Sequence, residues 1–296
     1  MPEQPWRGVL VATALPFTPE LELDLDRYAE HVRWLAANGC DGVVPNGSLG
    51  EYQVLTDAER AAVVQTAVAA APARFSVLPG VAAYGSAEAR RWTEQAAEAG
   101  CAGVMLLPPN AYRADEHSVV AHYTEVAKVG LPVVAYNNPI DTKVDLEPAL
   151  LARLHREDLI VAVKEFSGDV RRAYQIAELA PELELLAGAD DVALELVLAG
   201  AQGWISGYTN AFPRACVELY QAARAGDLSR ALPLYRTLHP ALRWDSTTEF
   251  VQAIKYSMDL VGRYGGPCRA PRMPLPPETE RVVRHATETA ATTEGT

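Results

Sequence analysis

The stretch "EDLIVAVKEFSGD", residues 157–169, sets a lysine at the end of a five-residue apolar run, 159–163, and follows it with a glycine-bearing turn. A run this short, bounded by acids and a turn, reads as a buried strand rather than a helix. The chain holds only four lysines, Lys128, Lys143, Lys164 and Lys255, against twenty-two arginines. An ammonium at such a strand end is costly to desolvate, which pushes its pKa down toward the neutral, nucleophilic amine. Alone, the segment fits better a lysine that emerges into solvent where a strand stops. The rest of the chain decides between the two.

Seven further apolar runs repeat the pattern: "GVLVATA" from residue 8, "DGVVPNG" from 41, "FSVLPG" from 75, "AGVMLLPP" from 102, "PVVAYNNP" from 132, "LELLAG" from 183 and "GWISG" from 203. Between them lie helical periods such as "DLDRYAEHVRWLAANG" and "DEHSVVAHYTEVAKVG", with Asp24, Asp57, Ser86, Asp115 and Asp190 as candidate N-caps and Gly39, Gly100, Gly130 and Gly200 as stops. Strand starts recur every 20 to 34 residues, the size of a βα unit. Eight such units without a long interruption predict an α/β fold, a (β/α)₈ TIM barrel over residues 1–208. Residues 209–285 read as helices alone, a C-terminal extension packed on the barrel, and 286–296, without a large apolar side chain, as an unstructured tail.

Composition excludes several classes. A formal net charge of −12 offers no basic face for nucleic acid or anionic lipid. No run approaches membrane-spanning length, and the first residues lack the pattern of a signal peptide, so a cytoplasmic protein is expected. Cys40, Cys101, Cys216 and Cys268 are far apart, with no CxxC pair and no zinc spacing, which fits reduced structural thiols and no bound metal.

In barrels of this type catalysis occupies the strand ends where βα loops begin. Lys164 ends the sixth strand, Tyr136 the fifth and Ile205 the eighth; Gly188 follows the seventh, and Gly47, Ser48 and Leu49 form a glycine turn after the second. A lysine, a phenol, a hydroxyl and a glycine turn supply a nucleophilic amine, a proton relay and an anion-binding nest. Each has a plainer reading. Tyr136 alone fits a half-buried strand-end tyrosine, Glu51 a structural hydrogen-bonding acid, and Pro139 a residue that only shapes its loop.

Taken in order and spacing, "GSLGE" (47–51), "YNNP" (136–139), "VKEFSGD" (163–169) and "GGPCRAPRMPL" (265–275) resemble the dihydrodipicolinate synthase and N-acetylneuraminate lyase family, over about residues 8–275. The resemblance implies a (β/α)₈ barrel with a helical extension, assembled as a homotetramer or dimer. It implies that Lys164 forms a covalent imine with pyruvate or another 2-keto acid, needing no metal or organic cofactor. Tyr136 would relay protons and Ser48 complete the relay. The amides of Ser48 and Leu49 would hold the substrate carboxylate, with the backbone at Ile205 against the substrate.

The departures from the family's synthase pattern bear on the substrate. Leu49 replaces a second hydroxyl residue. Asp141 stands where synthases carry an arginine for a second carboxylate. Ala111 falls where they have an interface tyrosine, and Tyr112 beside it fits either a replacement after a loop shift or a surface contact. These changes favour a Schiff-base lyase, an aldolase or dehydratase, acting on a 2-keto-3-deoxy acid with pyruvate as product or co-substrate. The alternatives are the synthase condensing pyruvate with aspartate semialdehyde, and a non-catalytic keto-acid-binding protein on the same barrel.

Overall fold

In a computed structural model, which describes residues 4–294, eight strands form one parallel sheet. They are β1 (Gly8–Ala12), β2 (Gly42–Val44), β3 (Ser76–Val77), β4 (Val104–Leu106), β5 (Val133–Asn137), β6 (Ala162–Glu165), β7 (Glu184–Ala187) and β8 (Gly203–Ser206). The sheet runs β3-β2-β1-β8-β7-β6-β5-β4. Its two ends meet through a parallel bridge from Gly80 to Met105, where Met105 N donates to Pro79 O and Val81 N to Met105 O, each at 3.0 Å. Pro79 has no N–H to give, so β3 is short and the closure falls just beyond it. Gly80 permits the approach: a Cβ there would lie 2.4 Å from Asn46 O.

Helices α1 (Leu25–Ala37), α2 (Asp57–Ala70), α3 (Ser86–Glu98), α4 (Glu116–Ala127), α6 (Pro148–Arg156), α7 (Arg171–Leu179) and α8 (Ala193–Leu198) cover the outside, while the single turn α5 (Pro139–Thr142) follows β5 at the strand ends. Gly39, Gly100, Gly130 and Gly200 all take positive φ just past a helix, as the sequence pattern requires. Asp24 and Asp115 cap α1 and α4. The cap of α2 is Thr56 rather than Asp57, because Thr56 and Glu59 complete a reciprocal capping box. Gly85 precedes α3 in place of Ser86, and Asp190 is a buried acceptor rather than a cap.

The extension contains α9 (Pro213–Arg224), α10 (Leu228–Leu242), a 3₁₀ turn (Arg243–Ser246), α11 (Phe250–Leu260) and α12 (Pro277–Ala291). The expected tail is corrected here. Residues 286–291 finish α12, which packs on α10 and α11 and buries Val283, Ala286, Thr287 and Ala290. Small residues at helical spacing suffice for a close helix contact, so the lack of large apolar side chains did not signal disorder. Residues 295 and 296 lie outside the described residues.

One buried ion pair locks the extension to the barrel. Lys255 Nζ on α11 donates to Glu51 Oε1 at 3.1 Å and to Pro267 O at 2.5 Å, with both side chains 1% exposed. Glu51 Oε2 accepts from Arg269 N at 3.0 Å. Glu51 is thus an acid that fastens the glycine turn to the extension.

Candidate active site

The strand ends open into one cavity of about 590 Å³. Lys164, Tyr136, Gly47, Ser48, Leu49 and Asp141 all line it. Pairing of β5 with β6 sets Tyr136 opposite Lys164, and Lys164 Nζ sits 4.2 Å above the Tyr136 ring centroid and 5.5 Å from that of Phe166. Only 5% of Lys164 is exposed. Burial lowers its pKa, against the opposing pull of Asp245 and Asp190. The amine is therefore biased toward its neutral, nucleophilic form.

Burial raises the Tyr136 phenol, and the negative charge of Asp245 adds to the effect, so the hydroxyl stays protonated. Asn138 ties the phenol to the next loop. Its Nδ2 donates to Tyr136 Oη at 3.3 Å and to Asp141 Oδ2 at 2.8 Å, while its Oδ1 accepts from Asp141 N at 3.2 Å and starts α5. Asn137 accepts from Leu146 N at 2.9 Å and donates to Glu165 at 3.0 Å. The two asparagines of "YNNP" so shape a loop and hold Tyr136 and Asp141 at the cavity wall together.

The glycine turn is held by two left-handed residues, Asn46 and Glu51, at φ 56° and 50°. Gly188 is placed differently from the expectation that it touches substrate. It does not line the cavity but presses on the lysine's support: a Cβ there would lie 2.5 Å from Glu165 O and 3.0 Å from Lys164 Cγ. Ile205 is fully buried in the barrel, opposite Leu10, and it is Gly207, just past the eighth strand, that lines the cavity instead. Tyr112 does not reach the cavity within this chain. It is 58% exposed, and its loop turns Asn110 inward instead.

Arg60 and Asp245 are among the charged residues at the cavity that were not singled out from sequence. Arg60 on α2 is 6% exposed, bonded to Ala82 O at 3.2 Å and Gly80 O at 3.4 Å, and stacked 4.3 Å over the Trp92 ring. Asp245 comes from the 3₁₀ turn of the extension. Burial holds its carboxyl well above the usual carboxylate range, with Asp190 adding to the shift and Lys164 opposing it. Asp190 is itself pushed up to about 6 by burial, even though Trp204 Nε1, Ser206 Oγ, and the Gly207 and Tyr208 amides donate to it. No sequence signal pointed to Asp245, since nothing local links it to Lys164. Among the described residues, no cluster of His, Cys, Asp and Glu could hold a metal ion, and no helix is long and apolar enough to cross a membrane.

A closed parallel barrel with a buried lysine and tyrosine at the strand ends, capped by helices, defines a lyase of the class I aldolase type. A sequence profile of the dihydrodipicolinate synthetase family matches residues 5–290, and the chain belongs to that family. A 4-hydroxy-tetrahydrodipicolinate synthase of Methanoculleus marisnigri is 33% identical over 90% of this chain and 93% of its own length. A protein of Rhizobium meliloti named only as a DapA-like lyase is 32% identical over 91% of each. The crystal structure of a putative dihydrodipicolinate synthetase from Pseudomonas aeruginosa, 31% identical, superposes with a TM-score of 0.91 over 96% of this chain and 99% of that one.

Proposed function

We propose that the protein is a Schiff-base lyase acting on a 2-keto-3-deoxy acid or a related hydroxylated 2-keto acid, with pyruvate as product or co-substrate. The observation that carries this reading is the buried, nearly unexposed amine of Lys164 beside the Tyr136 phenol in a cavity that can hold a small acid. The neutral amine attacks the keto carbon, water leaves, and the iminium becomes the electron sink for breaking a bond at the neighbouring carbons. Tyr136 carries protons to and from the reacting atoms, with Ser48 on the same wall. The amides of Ser48 and Leu49 suit the substrate carboxylate, and Asp141 a hydroxyl-bearing tail. The chemistry needs no metal or organic cofactor. Assembly into a homo-oligomer is part of the proposal.

A second reading is condensation of pyruvate with aspartate semialdehyde, the activity in the names of several relatives. Arg60 in the cavity wall favours it, since a buried guanidinium suits a second carboxylate, whereas Asp141 opposes it. Borohydride added with pyruvate should inactivate the protein and leave a single reduced adduct on Lys164, and Lys164→Arg should abolish both effects. Full activity without an adduct refutes the imine. A panel of 2-keto-3-deoxy acids run against pyruvate plus aspartate semialdehyde, in wild type and Asp141→Arg, separates the two readings. Efficient condensation by the wild type would make the synthase reading correct.

A further inference from the structure

We propose that Asp245 is a catalytic acid, donating the proton that expels an oxygen substituent from the carbon β to the imine, so that the reaction is an elimination of water. The inference rests on the reading of Lys164 as the imine-forming amine.

Placement comes first. Asp245 is delivered by the extension, is 8% exposed, and lines the same cavity as Lys164 and Tyr136. Its turn is pinned over the barrel mouth, where Ser246 Oγ donates to Asp191 Oδ1 at 2.8 Å and Tyr235 Oη to Asp191 O at 2.5 Å. Gly207 makes the room: a Cβ there would lie 2.4 Å from Asp245 Oδ1. The contrast with Asp190 is informative. Both oxygens of Asp190 are occupied by donors, the mark of a structural acid. Asp245 accepts the Asp190 backbone N–H but, among the described residues, no side-chain hydrogen bond, and it makes no ion pair, so its carboxyl keeps hydrogen-bonding capacity for the cavity it lines. Asp190, Asp191, Lys164, Tyr136 and Tyr208 are the titratable groups around it. Their balance, with burial, favours the protonated acid.

The chemistry requires such a group for one outcome only. Cleaving the bond between the third and fourth carbons needs a base to take one proton from the fourth carbon's hydroxyl, and one proton-carrying group suffices. Elimination needs two. Tyr136, having given its phenol proton to the water that left on imine formation, takes the third-carbon proton, and the electron pair moves onto the iminium nitrogen to give an enamine. Asp245 then gives its proton to the fourth-carbon oxygen. The carbon–oxygen bond breaks with its pair on oxygen, and the nitrogen pair returns to form a conjugated iminium. Water hydrolyses the carbon–nitrogen bond, releasing the unsaturated 2-keto acid and the Lys164 amine. The net change is loss of one water, and the proton freed in that hydrolysis restores the Asp245 acid.

The test follows 2-keto-3-deoxypentonate and 2-keto-3-deoxyhexonate epimers chromatographically, reading pyruvate and dehydrated acid separately. The wild type should yield the dehydrated acid. Asp245→Asn should slow that by roughly 10² to 10⁴, the range for losing a general acid, and Asp245→Glu should recover part of it. Both variants should keep the borohydride adduct on Lys164 and the exchange of pyruvate methyl protons in deuterium oxide, which need only the amine and the phenol; a retained adduct also reports that the variant is folded. Pyruvate release alone, no loss of water from any epimer, or an Asp245→Asn rate within threefold of wild type overturns the proposal. Absence of the adduct from the wild type instead defeats the imine reading beneath it.

Discussion

Replacing Lys255 by methionine should destabilise the protein far more than the loss of one surface charge would. The ammonium is enclosed by Glu51, Pro267 O and the Phe17 ring, 4.8 Å from its centroid, and methionine fills a similar shape without the charge. What remains is a buried Glu51 carboxylate whose Oε1 has lost its partner and whose Oε2 still holds Arg269 N. Removing one member of a buried ion pair costs about 3–5 kcal/mol, because the other charge stays desolvated. Unfolding entropy near 2.1 cal/mol/K per residue, over 296 residues, sums to about 0.6 kcal/mol/K, so the expected loss in Tm is about 5–8 °C. Thermal unfolding followed by circular dichroism measures it. Adding Glu51→Gln in the Lys255→Met background removes the stranded charge and should restore most of the loss. A Tm within about 1 °C of wild type in Lys255→Met, or no recovery in the double variant, would refute the view that this pair locks the extension to the barrel.

Tyr136→Phe should keep the fold and borohydride trapping while slowing turnover by roughly 10² to 10⁴; a wild-type rate would remove Tyr136 from the proton path. Stability should also fall on acidification. Burial holds His31 and His122 at about 4, below the unfolded value of 6.5, so between those values the unfolded chain binds more protons. Each histidine's contribution is complete above pH 6.5 and is lost as pH falls toward 4, by roughly 2 kcal/mol per residue on reaching pH 5. Asp190, held at about 6, runs the other way and gains stability as pH drops through that value. The clean measurement is therefore the difference between wild type and His122→Gln in urea unfolding at pH 7 and pH 5, where an unchanged pH dependence would be the failing result.

The barrel, its strand ends and the lysine, tyrosine and serine at its mouth were legible in the sequence because each rests on local rules. Apolar runs of strand length, helical spacing and glycine stops are properties of short windows, and βα repetition converts them into a closed sheet. The resemblance then attached expectations to Lys164, Tyr136 and Ser48, which lie together in one cavity. Local rules also misled. Thr56 outcompeted Asp57 as a cap through Glu59, and the alanine-rich end of α12 found a helical surface to pack on. Only the tertiary structure could bring Asp245 to Lys164, Lys255 to Glu51 across 204 residues, or Arg60 into the wall of the cavity, and leave Tyr112 outside it. Those placements depend on how the extension and α2 dock on the barrel. Docking is set by burial and shape summed over many residues, which leaves no mark in the few letters around any one of them.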